Sequence, residues 1–285
     1  MDGNRPIWLV TNAASGSNAE EAIEALEGCC GLHGLPLAGR TRFPDDDLPD
    51  SAALDAAGIG LVTVFAGDGT VNTLLTRLSG WGGAVLVLPG GTMNLLYHRL
   101  HGDRTMEQSI AAVAAGEARP VRPGIVRCPH GDAYAGVLAG PGTSWGEVRE
   151  AMREVAVAEV AASTVRAVEE TLAGEWIACE RPRLGRPEGY PLINLTPRDD
   201  GIAIDAYHAE SPDEYLEQAW ALLKRSFREG PHELLGRVPA VRLAGVGGHP
   251  FGLLVDGERV PSGAEVEFRL VPCEVDLLAT EIDGS

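Results

Sequence analysis

The sequence is poor in basic and aromatic residues. Phe, Trp and Tyr make up 5% of its 285 residues, and 23 Lys and Arg stand against 41 Asp and Glu, for a net charge of −18. Because contacts to nucleic-acid phosphates need clustered cations, this balance argues against a nucleic-acid partner. It also disfavours electrostatic attraction to an anionic membrane surface.

Long apolar runs are absent as well. No stretch reaches the roughly 18 apolar residues of a transmembrane helix, and Met1 to Val10 lacks the features of a signal peptide. The five cysteines include no Cys-x-x-Cys pair, which favours reduced, buried thiols. His98 and His101 share a predicted helix face without a third ligand, so no metal site is expected there. We expect a cytoplasmic protein.

The first third of the sequence alternates apolar strands, Gly-containing turns and helices. Strands are predicted at 7–11, 37–43, 59–65 and 84–88, and Gly-containing turns at 12–17, 66–70 and 89–92. Continuous apolar strands separated by helices predict an α/β domain with a parallel sheet covered on both faces. The run 119–123, rich in Pro and Arg, breaks this pattern. We therefore predict domains at 1–121 and 122–285.

The rest of the sequence predicts a mainly antiparallel β domain with helices. Helices are expected at 145–173 and 211–229, and strands at 176–180, 192–196, 202–208, 241–243, 251–255, 266–270 and 275–279. The last strand is a candidate to pack back on the first domain.

The Gly-containing turns are the first candidate site. In an open α/β sheet the strand-to-helix turns form the ligand crevice, and glycine-freed amides at a helix N-terminus suit phosphate. Asp68 lies between two glycines after an apolar strand. It is either a ligand-binding residue or a turn residue bonded to its own backbone.

Four segments resemble the catalytic domain of diacylglycerol kinases, which is shared with sphingosine, ceramide and bacterial lipid kinases. The segment GDGTVN at 67–72 is similar to the family's GGDGTVNE signature, and PGGTMN at 89–94 to its P-x-G-T-x-N-D motif. NAASG at 12–16 resembles the N-P-x-S-G turn, and DGE at 256–258 a motif of the second domain.

This resemblance implies an ATP- and Mg²⁺-dependent lipid kinase, with transient contact to a membrane surface. Asp68 and Glu258 are the implied catalytic residues, with Glu258 as general base, and Asp68 and Asp256 the implied metal ligands. The implied nucleotide-binding residues are Asn12, Ser15, Gly16, Thr41, Gly67, Asp68, Gly69, Thr70, Gly91, Thr92 and Asn94.

Several positions depart from the family pattern. Ala66 replaces the first signature glycine, Thr73 the usual Glu and Leu95 the usual Asp, while Ala14 stands where a basic residue is common. Each change at 73 and 95 removes a carboxylate and the polar contact it would make. A nucleotide- or lipid-binding regulatory protein of the same fold is therefore an alternative, and an NAD kinase, which also uses a Gly-Gly-Asp-Gly turn, is another.

Asp256-Gly257 has a purely structural interpretation too. An Asp-Gly pair between two β-like segments is a strong hairpin signal, and Glu258 would then be an exposed strand residue.

Overall fold

The computed structural model describes residues 6–12, 20–144, 176–207 and 232–281. The chain divides into two units. Unit 1 runs to Pro123 and includes the segment from Pro272 onward, and unit 2 is Gly124–Val271. The predicted helices at 145–173 and 211–229 lie outside the described residues.

Unit 1 is an α/β structure built on one sheet. Its strands and helices follow the chain as β1 (Ile7–Asn12), α1 (Glu20–Leu32), β2 (Leu37–Phe43), α2 (Ser51–Ala56), β3 (Leu61–Ala66), α3 (Asp68–Arg77), β4 (Ala84–Pro89), α4 (Leu95–His101), α5 (Met106–Ala114) and β5 (Arg119–Val121). The C-terminal strand of the chain, Asp276–Ala279, belongs to this sheet and is numbered β17 below, after the strands of unit 2.

The sheet order in unit 1 is β2-β1-β3-β4-β17-β5. Strands β1 to β4 pair in parallel, β17 runs parallel to β4, and β5 is antiparallel to β17. All six residues of β3 are buried, as expected for a central strand covered on both faces. Leu277 of β17 is fully buried too, so the C-terminal strand is part of the unit 1 core.

Unit 2 consists of antiparallel sheets in the described residues. Its strands are β6 (Gly124–Cys128), β7 (Gly131–Ala133), β8 (Val137–Ala139), β9 (Ile177–Arg181), β10 (Leu192–Arg198), β11 (Gly201–Tyr207), β12 (His232–Val238), β13 (Ala240–Gly245), β14 (Leu253–Val255), β15 (Glu258–Val260) and β16 (Glu265–Pro272). One sheet has the order β12-β11-β10-β8-β14-β15 and the other β7-β6-β16-β13-β9. Their inward-facing residues, such as Ile193, Ile204, Leu243 and Phe268, form one buried cluster.

The predicted fold class is confirmed: a mostly parallel α/β unit precedes an antiparallel β unit. A capping box begins α5, because the side chains of Thr105 and Gln108 each accept a hydrogen bond from the other's backbone N–H. Helix α2, which Asp50 caps, was not predicted from the sequence. Strand β5 lies in the run 119–123, which was predicted to be a break in the pattern. No helix in the described part of the chain is long and apolar enough to cross a membrane.

Candidate active site

The Gly-containing turns after β3 and β4 lie at the same edge of the unit 1 sheet as Asn12, the last residue of β1. Ala66 at the end of β3 pairs with Pro89 at the end of β4, and Thr11 near the end of β1 pairs with Phe65. The carboxyl ends of these parallel strands therefore bring Asn12, Gly67 and Gly90 to one edge, which is where ligands bind in open α/β sheets. Ser15 and Gly16, and Ala14 with them, lie outside the described residues.

The turns after β3 and β4 touch through their backbones. A Cβ atom added to Gly91 would lie 2.5 Å from the Cα of Gly67, and one added to Gly90 would lie 2.4 Å from the backbone N of Ala66. Only residues without a Cβ fit such an approach. The two motifs are thus packed against each other through their backbones.

Asp68 joins the same two turns through its side chain. It is the first residue of α3 and is half-buried. Its Oδ2 accepts a hydrogen bond from the N–H of Leu95 at 3.3 Å and its Oδ1 one from Leu96 at 3.4 Å. These are the first two residues of α4, so Asp68 caps the N-terminus of a helix other than its own.

Asn94 shapes the turn that leads into α4. Its backbone is left-handed, with φ of 50°, a conformation that Asn tolerates better than most residues. Its side-chain Oδ1 accepts from the N–H of Gly91 at 2.7 Å, and its Nδ2 donates to the carbonyl of Gly91 at 2.9 Å. The side-chain amide of Asn94 therefore holds Gly91 in place against Gly67, in the turn after β3.

Asn12 and Thr70 link the end of β1 to the start of α3. The Nδ2 of Asn12 donates to the Oγ1 of Thr70 at 2.7 Å, and Thr70 is only 8% exposed. The N-cap of α3 is Gly67, which has no side chain that could accept hydrogen bonds from the first N–H groups of the helix. A helix N-terminus of this kind, flanked by Gly69, suits a phosphate group.

The two remaining predicted nucleotide contacts in unit 1 differ in their exposure to solvent. Thr92 is exposed in the turn after β4. Thr41 lies within β2, is 3% exposed, and its Oγ1 accepts a hydrogen bond from the indole N–H of Trp8 at 3.0 Å. Its role as a nucleotide contact stays a prediction.

The three described departures from the family pattern have distinct surroundings. Ala66 is 2% exposed, so its methyl group is enclosed rather than presented to a ligand. Thr73 is exposed on α3, where its hydroxyl donates to the carbonyl of Gly69 at 2.9 Å. Leu95 is 42% exposed at the start of α4. Only Leu95 puts an apolar side chain on the surface next to Asp68.

The C-terminal segment of the chain anchors the other end of α4. The N–H groups of Thr280 and Glu281 both donate to the carbonyl of Leu100, at 3.0 and 3.1 Å. The Nδ1 of His101 lies 2.9 Å from the Oγ1 of Thr280. Burial lowers the pKa of His101 to about 4, so the imidazole is neutral at neutral pH. No local pattern in the sequence indicates this contact between His101 and Thr280.

In unit 2, Asp256 and Gly257 form the turn between β14 and β15. Val255 pairs with Glu258 across a two-residue loop, in which Asp256 has φ of 48° and Gly257 φ of 87°. Two left-handed residues in succession are the mark of a type I′ hairpin turn, so the hairpin expected from Asp-Gly is present. Glu258 is exposed and Asp256 is buried.

In the described residues, no group of three or more His, Cys, Asp or Glu side chains is arranged to hold a metal ion. Any magnesium bound here would need oxygen atoms from a nucleotide besides those of Asp68, as is common for Mg²⁺. Asp68 lies in the first turn of α3, where the N–H groups of a helix N-terminus suit a phosphate-bearing ligand.

The described residues form an α/β unit with Gly-containing turns after its parallel strands, followed by an antiparallel β unit. Residues 6–126 match the family model of the diacylglycerol kinase catalytic domain. This segment is less than half of the chain, and over it the sequence is similar to that catalytic domain.

Solved structures show the same fold over nearly the whole chain. A diacylglycerol kinase from Bacillus anthracis str. Sterne is 13% identical, with a TM-score of 0.59, and the match covers 96% of this chain and 97% of that one. A second structure from that organism, assigned provisionally to the same class, has a TM-score of 0.60 at 13% identity over 98% and 96% of the two chains. No curated protein matches the chain at a significant level.

Proposed function

We propose that this protein is an ATP-dependent kinase that phosphorylates a hydroxyl group of a lipid-like substrate. The observation that carries the proposal is the contact between the two Gly-containing turns, with the Asp68 carboxylate beside it. The N–H groups at the N-terminus of α3, which begins at this contact, suit the phosphates of a nucleotide. The match of residues 6–126 to the diacylglycerol kinase catalytic domain supports the lipid-like acceptor.

Within this proposal, each motif residue of unit 1 has a task. Gly67, Gly69 and Gly91 admit the phosphates, while Asn12, Thr70 and Asn94 hold the turns in place through the hydrogen bonds described above. Asp68 would hold Mg²⁺ together with the phosphate oxygens, and Thr92 would contact the nucleotide from the turn after β4. When bound, Mg²⁺ supplies the positive charge that offsets charge on the transferred phosphoryl group.

Glu258 is proposed as the general base. Its carboxylate is exposed on β15, so it can approach a substrate hydroxyl and accept its proton. Phosphoryl transfer depends mostly on positioning and charge neutralisation, and one base with one metal-binding carboxylate is chemically sufficient.

A lipid acceptor requires transient contact with a membrane or another lipid carrier. The net charge of −18 disfavours a contact based on attraction to anionic lipids. We therefore propose a peripheral, salt-insensitive contact made by apolar groups, on a protein of the cytoplasm.

A second candidate function is nucleotide or lipid binding without catalysis. Leu95 and Thr73 favour it, since a leucine and a threonine that bonds its own helix replace two carboxylates near Asp68. The retention of Asp68 and Glu258 favours the kinase.

The experiment that separates these candidates is a transfer assay with γ-labelled ATP and Mg²⁺. The acceptors offered are a diacylglycerol, a sphingoid base and phosphatidylglycerol. The variants D68N and E258Q should lose about 100-fold or more of the activity, while D103N, which removes an exposed charge after α4, should keep it. If the native protein binds ATP and labels no acceptor, the binding-protein function replaces the kinase.

A further inference from the structure

The carboxylate of Asp256 is bound by three consecutive backbone N–H groups. Its Oδ2 accepts from Tyr134 at 2.9 Å, and its Oδ1 accepts from Ala135 at 2.8 Å and from Gly136 at 3.0 Å. Asp256 is 7% exposed. Three converging amides satisfy a buried carboxylate as an anion-binding backbone nest does.

This environment differs from that of a magnesium ligand. Magnesium in proteins takes oxygen ligands at about 2.0–2.1 Å in octahedral geometry and usually keeps several waters, which requires an accessible carboxylate. Both oxygens of Asp256 already accept short hydrogen bonds, and the side chain is almost fully enclosed. A metal ion at Asp256 would have to displace hydrogen bonds that the fold itself uses.

The same residue ties the β14–β15 turn to the segment 134–136. Besides its side-chain contacts, the backbone N–H of Asp256 donates to the carbonyl of Gly136 at 3.0 Å. Strand β14 continues this contact, because Val255 pairs with Val137 of β8. Glu258 follows two residues later and pairs with Val255. The position of Glu258 therefore depends on this turn. Asp256 attaches the turn to segment 134–136 through hydrogen bonds of both its backbone and its side chain.

We propose that Asp256 is a positioning residue, which fixes Glu258 through the hairpin turn, and that it is not a ligand of the catalytic magnesium. This inference rests on the proposed function of Glu258 as general base. It assigns the two carboxylates of the Asp-Gly-Glu segment to separate tasks, one structural and one chemical.

The first test compares two variants of the turn. In D256N an NH₂ group replaces one oxygen and faces a backbone N–H donor. G257A keeps the carboxylate but strains a residue whose φ is 87°. Both should lower kcat by roughly 100-fold through misplacement of Glu258. The KM for ATP and the Mg²⁺ concentration for half-maximal rate should stay at their native values in both, and E267Q on β16 should behave as the native protein.

A metal role for Asp256 makes the opposite prediction. D256N would then need several-fold more Mg²⁺, saturating Mg²⁺ would restore much of kcat, and G257A would leave the Mg²⁺ requirement and most of kcat intact. That pattern would overturn the proposal. Since G257A retains the three side-chain hydrogen bonds, it carries the test if D256N does not fold.

Hydrogen exchange gives a readout that needs no catalysis. The amides of Tyr134, Ala135 and Gly136 should exchange roughly ten-fold faster or more in D256N than in E267Q, because they lose a charged acceptor. Unchanged exchange would show that the carboxylate does not hold this segment. If the native protein transfers no phosphate but the amides of 134–136 exchange slowly, the kinase proposal fails. The structural role of Asp256 in holding this segment is then still supported.

Discussion

Asp68 and Asp256 each precede a glycine, one in each unit, and the resemblance to diacylglycerol kinases implied that both are metal ligands. The structure gives them different surroundings. The contacts of Asp68 to α4 are long, at 3.3 and 3.4 Å, and the residue is half-buried. Those of Asp256 are 2.8–3.0 Å, and the residue is buried. An Asp-Gly pair therefore does not determine its own role; the segments that fold against it do.

The comparison predicts unequal costs in stability when each carboxylate is removed. D256A leaves three N–H groups without their acceptor, each worth about 1–3 kcal/mol when buried, so the loss should reach about 3 kcal/mol or more. D68A removes a weak cap of α4 and should cost about 1 kcal/mol.

Urea unfolding of the two variants, followed by hydrogen exchange to assign each transition to a unit, measures this difference. Equal losses, or a larger loss for D68A, would mean that the distances above do not reflect the strength of the two contacts.

The contact between the turns of unit 1 provides the next prediction. In G91A the added Cβ would lie 2.5 Å from the Cα of Gly67, and two backbones must separate to admit it. Overpacking of this kind costs about 1–3 kcal/mol, and we expect ATP binding to be lost with it.

Calorimetric titration with ATP and thermal unfolding check this prediction. The matched control is G82A, because a Cβ at Gly82 would meet no atom within 4 Å. Native ATP affinity in G91A would show that the contact between the turns does not form the nucleotide site.

These turns also show how far the sequence could predict the site. The motifs located Asp68, Gly91 and Asn94, because short segments with glycine at fixed offsets are recognisable without the fold. They did not reveal that Asn94 bonds Gly91 or that Asp68 caps α4, since each bond depends on a left-handed turn or a helix start that propensity alone does not place.

Unit 2 was harder to predict in detail. The hairpin at Asp256-Gly257 was expected from a local signal, but β7 and β8, of three residues each, are too short to show a period. The amides that bind Asp256 lie between these two strands. Segment 134–136 contacts Asp256 across more than 100 residues of sequence, and no local pattern marks such a pair.

The pairing of His101 with the C-terminal segment predicts a stability that depends on pH. Burial lowers the pKa of His101 from 6.5 to about 4, so the folded protein resists protonation that the unfolded chain accepts. Stability is complete above pH 6.5 and falls as the pH drops toward 4, by up to about 3 kcal/mol for this group at about 1.36 kcal/mol per pH unit.

Unfolding free energies between pH 7 and pH 4 test this, with H101Q compared with H33Q, which changes an exposed histidine. The pH dependence should become shallower in H101Q and keep the native slope in H33Q. If H101Q retains the native slope, carboxylates rather than His101 cause the loss of stability in acid.

The smallest expected effect concerns Leu95, which lies beside Asp68 in the place where the family usually has Asp. In L95D a second carboxylate would stand next to Asp68, so the two would repel each other without a cation and share one when Mg²⁺ and nucleotide are present. The Mg²⁺ concentration needed for half-maximal ATP binding should fall several-fold. L95N is the matched control, because it has the same shape as Asp without the charge. If L95D and L95N respond to Mg²⁺ alike, Asp68 does not hold the metal. Asp68 and Asp256 would then differ only in burial and hydrogen bonding, and neither would be a metal ligand.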